Sequence, residues 1–180
     1  MLIHEFLAMP LSQRQQLRAL NISDNDLSLI SDVVFNTFID ALLQCDALQQ
    51  LDLSNTSLHQ MDTARLSTLL DTLGQLHELD VLNLANNRFD LMSEDSFAVL
   101  QNVCMRCNAL GLLVLSGCGL CMAPARFRAI AMSLRNYGRG YTPPAILPAM
   151  ASHTADAPAA ALAPAAASAA SRILQLHNSI

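Results

Sequence analysis

The sequence predicts an α/β chain built from stacked strand–turn–helix units, with a parallel sheet on the inner side and helices on the outer side. Three observations carry this. Segments of the pattern LxxLxLxxNxL begin at Leu17, Leu48, Leu79 and Leu110, at a constant spacing of 31. Apolar periodicity within each unit changes from two, the strand value, to about 3.6, the helical one. Leucine supplies 33 of the 180 residues in a chain that is 52% hydrophobic and 14% charged, a composition that buries a core and differs from that of disordered chains.

At the amino terminus, Leu2, Phe6, Leu7 and Met9 precede a polar turn or helix over Ser12–Gln16; residues 1–16 form a cap. Four strands follow. Leu20 and Ile22, Leu51 and Leu53, Leu82 and Leu84, and Leu113 and Leu115 alternate with other residues, which puts them on one side of short strands, facing the core. Helices come next in each unit. Phe35, Phe38, Ile39 and Leu42 stand one full repeat before Leu66, Leu69, Leu70 and Leu73, and Phe97, Leu100, Gln101 and Cys104 occupy the third set, at i, i+3, i+4, i+7 spacing. Asp32, Asp62, Ser93 and Asp95 lie near the helix starts, where they satisfy free backbone N–H groups and oppose the helix dipole. Pro124 opens a fourth helix faced by Phe127, Ile130, Ala131 and Leu134, and Gly138 closes it.

The repeats over 17–138 resemble the leucine-rich repeat family, and the 31-residue unit containing a helix is similar to its ribonuclease-inhibitor-like branch. The resemblance covers about Leu11 to Tyr137. It implies a short right-handed leucine-rich repeat solenoid, a horseshoe segment capped at both ends because terminal coils otherwise expose an apolar cross-section. It also implies a structural ladder at the ninth repeat position, where the family places an Asn that hydrogen-bonds its own and neighbouring coils. Here that position holds Asn25, Thr56, Asn87 and Cys118. In the family, the residues alternating with the buried leucines form a concave ligand-binding face. In this chain they are Ala19, Asn21 and Ser23; Gln50, Asp52 and Ser54; Val81, Asn83 and Ala85; and Leu112, Val114 and Ser116. The face is polar and mildly acidic in the first two repeats and apolar in the last two. Solvent-facing Val81, Leu112 and Val114 mark a partner site, with the Pro/Ala tail folding back over them as the competing account.

A fifth repeat would begin at Tyr141, but Pro143, Pro144 and Pro148 break it. Residues 139–180 read as a Pro/Ala-rich flexible tail. Its last ten residues differ, placing Ile173, Leu174, Leu176 and Ile180 on a short amphipathic stretch. That stretch is either a frayed end or a docking or export element, with the last repeat as one candidate receptor.

Chemistry-bearing motifs are few. Cys104-x-x-Cys107 and Cys118-x-x-Cys121 have zinc-like spacing. Repeat register opposes that reading: Cys104 and Cys107 hold helix slots, Cys118 holds the ninth position, and the two pairs sit at opposite ends of a strand, about 15–20 Å apart. No metal and no cofactor are expected. His4, His59, His77, His153 and His177 are scattered and read as surface residues. Asp24 and Asp26, with Asn21 and Asn25, read as turn chemistry after a strand. Neither a phosphate-binding glycine loop nor a nucleophile elbow is present, so the chain reads as a non-enzyme.

The remaining expectation is a protein–protein interaction module. Its rivals are a structural or targeting protein whose tail mediates self-association or export, and a metal or thiol-redox protein using the CxxC pairs. A monomer is favoured, with one protein partner. A net charge of −5 argues against nucleic acid. The charge-free stretch Cys107–Ala125 is interrupted by Asn108, Gly111, Gly117, Gly119 and Pro124, which argues against a membrane span. No basic segment precedes the amino-terminal apolar residues, so no signal peptide is read there, and five cysteines suit a reducing, cytoplasmic setting. Short proteins of this family with loose carboxy-terminal tails resemble bacterial effectors delivered into host cells. All ten basic residues are Arg, with no Lys; this fits a protein that meets a host ubiquitin system, but the Ala-rich tail favours a genome biased toward Arg and Ala codons.

Overall fold

The computed structural model describes residues 1–106, 110–126, 128–130 and 173–175. The fold is α/β, with a parallel sheet whose strands are connected through helices. Two short helices open the chain, α1 (Ile3–Leu7) and α2 (Leu11–Gln15). The strands β1 (Ala19–Asn21), β2 (Gln50–Asp52), β3 (Val81–Asn83) and β4 (Leu112–Val114) alternate with α3 (Asp32–Leu42), α4 (Thr63–Leu73) and α5 (Glu94–Arg106). Residues 124–126 and 128–130 are helical after β4, starting at Pro124 as its fixed φ favours.

Pairing follows the repeat spacing. Leu20 lies opposite Leu51, Leu51 opposite Leu82, and Leu82 opposite Leu113. A fifth strand, β5 (Ile173–Gln175), pairs in parallel with β4, with Leu174 opposite Leu113. It is the part of the 139–180 tail among the described residues; the proline and alanine runs and Gly138 lie outside them.

The alternation places the leucines as expected. Leu20, Ile22, Leu51, Leu53, Leu82, Leu84, Leu113 and Leu115 are buried, as are Phe35, Phe38, Leu42, Leu66, Leu69, Leu70, Leu73, Phe97 and Leu100. Helix starts carry side-chain caps. Ser31 Oγ accepts from the Val34 amide, Asp62 Oδ1 from that of Arg65, and Ser93 Oγ from that of Ser96. The first cap is therefore Ser31, one residue before the Asp32 that first-turn charge pointed to.

The ninth-position side chains bind coil to coil. Asn87, fully buried, donates through Nδ2 to the carbonyls of Leu53 (2.8 Å), Leu84 (3.0 Å) and Ala85 (3.3 Å). Its Oδ1 accepts from the amides of Thr56 and Leu58 and from Thr56 Oγ1. Thr56 Oγ1 donates to the Leu53 carbonyl at 2.7 Å, and Cys118 Sγ to the Leu84 carbonyl at 3.1 Å. In the first repeat, Asn25 reaches the Met1 carbonyl and accepts from the Ile3 amide. The amino-terminal segment thus stands where a preceding coil would. Phe6 seals that end: it is fully buried and meets Phe38 edge-on at 6.0 Å. Leu2 is exposed, so it contributes little to the apolar cap anticipated for it.

Three arginines recur as clamps. Arg65 lies 4.5 Å over the Phe35 ring and donates to the carbonyls of Leu27 and Ile30. Arg126 lies 5.0 Å over Phe97 and donates to the carbonyls of Phe89 and Asp90 and to Glu94. Arg14 lies 5.8 Å over Phe6 and donates to the Leu7 carbonyl and Gln44. Each ties a helix or cap to a neighbouring turn using a flat face and several donors at once, which an ammonium cannot reproduce.

Among the described residues no helix is long and apolar enough to cross a membrane.

Asn87→Ala leaves two buried amides and several carbonyls without their partner, and is expected to cost about 3–4 kcal/mol of unfolding free energy. Asn25→Ala, in a half-buried site at the end of the stack, is expected to cost about 1 kcal/mol. Urea unfolding monitored by circular dichroism checks this order, and equal effects would contradict a buried ladder. Arg65→Lys is expected to lose about 1–2 kcal/mol in the same assay.

Candidate functional site

The outward positions of β1–β4 line up across the sheet. Gln50 lies beside Ala19 and Val81, Val81 beside Leu112, Asp52 beside Asn21 and Asn83, and Asn83 beside Val114. The strands therefore bring together Ala19, Asn21, Gln50, Asp52, Val81, Asn83, Leu112 and Val114, while Ser23, Ser54, Ala85 and Ser116 lie two residues beyond the strand ends.

In the first three repeats the outward residue at the strand end holds the following backbone. Asn21 Oδ1 accepts from the amide and hydroxyl of Ser23, at 2.9 and 2.8 Å. Asp52 Oδ1 does the same for Ser54, at 2.9 and 2.6 Å. Asn83 Oδ1 accepts from the Ala85 amide at 3.0 Å, and its Nδ2 donates to Asp52 Oδ2 at 3.0 Å. These are Asx turns, in which a short side chain substitutes for backbone pairing as the chain leaves a strand. Asn55 Nδ2 donates to Asp24 Oδ1 at 2.8 Å, linking the next position of adjacent coils.

The fourth repeat breaks this pattern. Val114 occupies the Asx position and has no acceptor to offer. Gly111 and Gly117 flank the strand, and both are packed against the third repeat. A Cβ on Gly111 would fall 2.2 Å from Asp80 Oδ1, and one on Gly117, whose φ is +67°, 1.9 Å from Asn86 Oδ1. Close approach of the coils leaves no room for side chains there, so the outward surface of β4 consists of Leu112 and Val114, with Ser116 beyond.

Exposure departs from the alternation. Val81, Leu112 and Val114 are half-buried, as are Ser23, Asp52, Ser54, Asn83 and Ser116, while Asn21 and Gln50 are exposed and Ala85 is buried. Side chains on parallel strands stand about 5 Å apart and cover one another, which alternation along one strand does not register. More exposed apolar groups lie elsewhere. Leu29, Leu91 and Met122 are 79%, 56% and 82% exposed and share one repeat position, at which Gln60 replaces an apolar residue. Their common phase in the repeat is the signal that would have found them.

No metal centre emerges among the described residues: no group of three His, Cys, Asp or Glu side chains is placed to hold an ion. The side chains of Cys104, Cys107 and Cys121 lie outside the described residues, as do His153 and His177. His4 and His77 are exposed and His59 is half-buried. Asp26 shows the turn chemistry read from its neighbourhood, its Oδ1 accepting from the amide and hydroxyl of Ser28. Burial raises its pKa, but the Ser28 bonds and weaker ones to Ser57 and Leu29 outweigh it and bring the value below the usual 3.8.

Cys45 and Cys118 are free and buried. Burial pushes both thiols from 9.0 up to about 11.

No protein-family model matches the chain, and no curated protein matches it. Among solved structures it is similar to the tropomodulin C-terminal domain of Caenorhabditis elegans, at 10% identity over 75% of this chain and 92% of that one, with a TM-score of 0.42. A likeness at this level adds nothing to the fold, which rests on its own strand register.

At pH 8 about one in a thousand of such thiols is ionised, so Cys45 and Cys118 are expected to resist alkylation in the native protein and to react on unfolding. Mass-mapped labelling with and without urea checks this; rapid native labelling of either would contradict its burial. Because their folded pKa values are raised, the stability they contribute is intact below about pH 9. It falls as the pH climbs through about 11, since unfolded thiols ionise first.

Proposed function

We propose that the chain is a leucine-rich repeat solenoid of the ribonuclease-inhibitor-like type and a non-enzymatic module that binds a partner protein through the outward face of β1–β4. The supporting observation is the change of character along that face. Asn21, Asp52 and Asn83 use their side chains to hold their own backbone, whereas Val81, Leu112 and Val114 contribute an apolar end. Strand register makes Val81 and Leu112 neighbours. A partner that suits this surface inserts an apolar anchor against β3 and β4. It directs basic or hydrogen-bonding groups toward Gln50 and Asp52, where the residual charge is negative.

The test compares tagged wild type with a Leu112→Asp/Val114→Arg variant in affinity capture, with matching circular dichroism spectra as the control for folding. Val33→Asp, on the exposed side of α3, serves as a surface-charge control. The double variant is expected to retain less than about one tenth of the partner held by wild type, and Val33→Asp all of it. Equal capture by all three proteins removes the face from the reading.

A further inference from the structure

We propose that the β4 edge is a binding site for one extended strand of the pattern Leu-x-Leu-x-Asn-Ser, and that residues 174–179 of the same chain fill it as a displaced fifth repeat. Pairing between the two strands is parallel and in register: Leu112 with Ile173, Leu113 with Leu174, and Val114 with Gln175. Leu174 therefore takes the position of Leu20, Leu51, Leu82 and Leu113, the inward row of the sheet.

The sequence continues the template beyond the paired residues. Counting on from Leu174 at the offset of 61 that this register sets, Leu176 corresponds to Leu115, Asn178 to Gly117 and Ser179 to Cys118. Each correspondence has a physical basis. The Gly117 position is left-handed in all four repeats: Asp24, Asn55, Asn86 and Gly117 have φ of 61°, 55°, 59° and 67°. Asn is among the few residues with a side chain that tolerate this conformation. The Cys118 position holds a small donor to a turn carbonyl: Cys118 Sγ donates to Leu84 of the preceding coil, and in the second repeat the Thr56 hydroxyl donates to Leu53 of its own. In the sequence a Leu-x-Leu, an Asn of the type that suits the left-handed position and a hydroxyl residue thus recur in the required order, after the prolines that interrupt a continuous fifth unit.

An uncovered β4 would present a row of unpaired amides and carbonyls. In the other coils the residue after the strand extends the pairing: the amides of Ile22, Leu53 and Leu84 donate to the carbonyls of Asp52, Asn83 and Val114. The same geometry at the β4 edge calls for a carbonyl at position 175 to accept from the Leu115 amide. Main-chain pairing supplies attachment, and the inward leucine positions supply selectivity, as in strand addition generally. The inference concerns the sheet edge and stands apart from what the outward face binds.

Amide hydrogen exchange of the full chain by NMR tests it. Leu113 and Leu115 are expected to be protected in wild type, and to exchange at least about tenfold faster in a full-length Leu174→Asp/Leu176→Asp variant. Leu51 and Leu53, in β2, should be unchanged. A synthetic peptide of residues 171–180 added to the variant is expected to restore protection saturably at 1:1. Wild type provides an independent measurement, cross-strand NOEs between residues 112–115 and 173–176. Their absence, or equal exchange of β4 in both proteins, overturns the proposal. Protection that fades on dilution, with intermolecular NOEs in a mixed labelled and unlabelled sample, overturns it in favour of a strand supplied by a second copy.

Discussion

Small polar groups at the ninth repeat position tie successive turns of backbone together, Asn87 and Cys118 by reaching directly into the preceding coil, and the rest of the stack depends on those ties. Strands of three residues leave most of each turn without sheet pairing, yet the turn must pass over a core of leucine. Buried amides and carbonyls are costly when unpaired, so the turn needs partners that neither water nor the sheet provides. Asn87 supplies both kinds at once, accepting from Thr56 and Leu58 while donating to Leu53, Leu84 and Ala85. Thr56 and Cys118 carry one donor each and suffice because Asn87 lies between them in the stack. At the amino terminus, Asn25 imposes the same demand on Met1 and Ile3, which explains why a non-repeat segment can close that end.

What the sequence shows directly is whatever the phase of the repeat can carry. Leu51 and Leu82 are legible as core because the next-but-one neighbour in the chain and the equivalent position one repeat away agree, and Phe35 because Leu66 and Phe97 stand in its phase. The ninth-position ladder is legible for the same reason. Contacts that combine two different phases are not. Arg65 stacks on Phe35, one position short of a full repeat, and Arg126 on Phe97, two positions short, so no single register aligns them. Half-burial of Leu112 and Val114 belongs to the same class, since cover comes from the adjacent strand and not from the chain's own alternation. The β5 pairing falls at an offset of 61, one short of two repeats, and is hidden from a strict period.

The gradient along the outward face follows from how each strand is left. Where the strand ends in Asn21, Asp52 or Asn83, the side chain turns back to its own chain, and its hydrogen-bonding capacity is largely spent on the protein. Asp52 is the clearest case: one oxygen serves Ser54 and the other Asn83. In the fourth repeat that service is absent, and Gly117 and Gly119 adopt positive φ with no side chain between them and the coil beneath. The same substitution that frees the turn from side-chain support makes the surface apolar. The loss of side-chain support at the turn and the apolar character of the β4 surface thus have a common origin in Val114.

Arginine alone among basic residues has a partial structural basis. Arg14, Arg65 and Arg126 each use the flat face of the guanidinium against a phenylalanine and its edge for two or more acceptors. Arg88 forks onto Asp90, with Nε to Oδ1 and Nη2 to Oδ2 both at 3.1 Å. Asp90 is in turn boxed in by Gly119, where a Cβ would fall 2.1 Å from its Oδ1. The Arg88 bond holds the Asp90 carboxyl below its ordinary value. A lysine offers a point charge and one flexible stem at such places, so at these four sites the choice of Arg follows from geometry. Exposed Arg18 and Arg128 meet no such requirement, and nothing in the structure explains why they too are Arg.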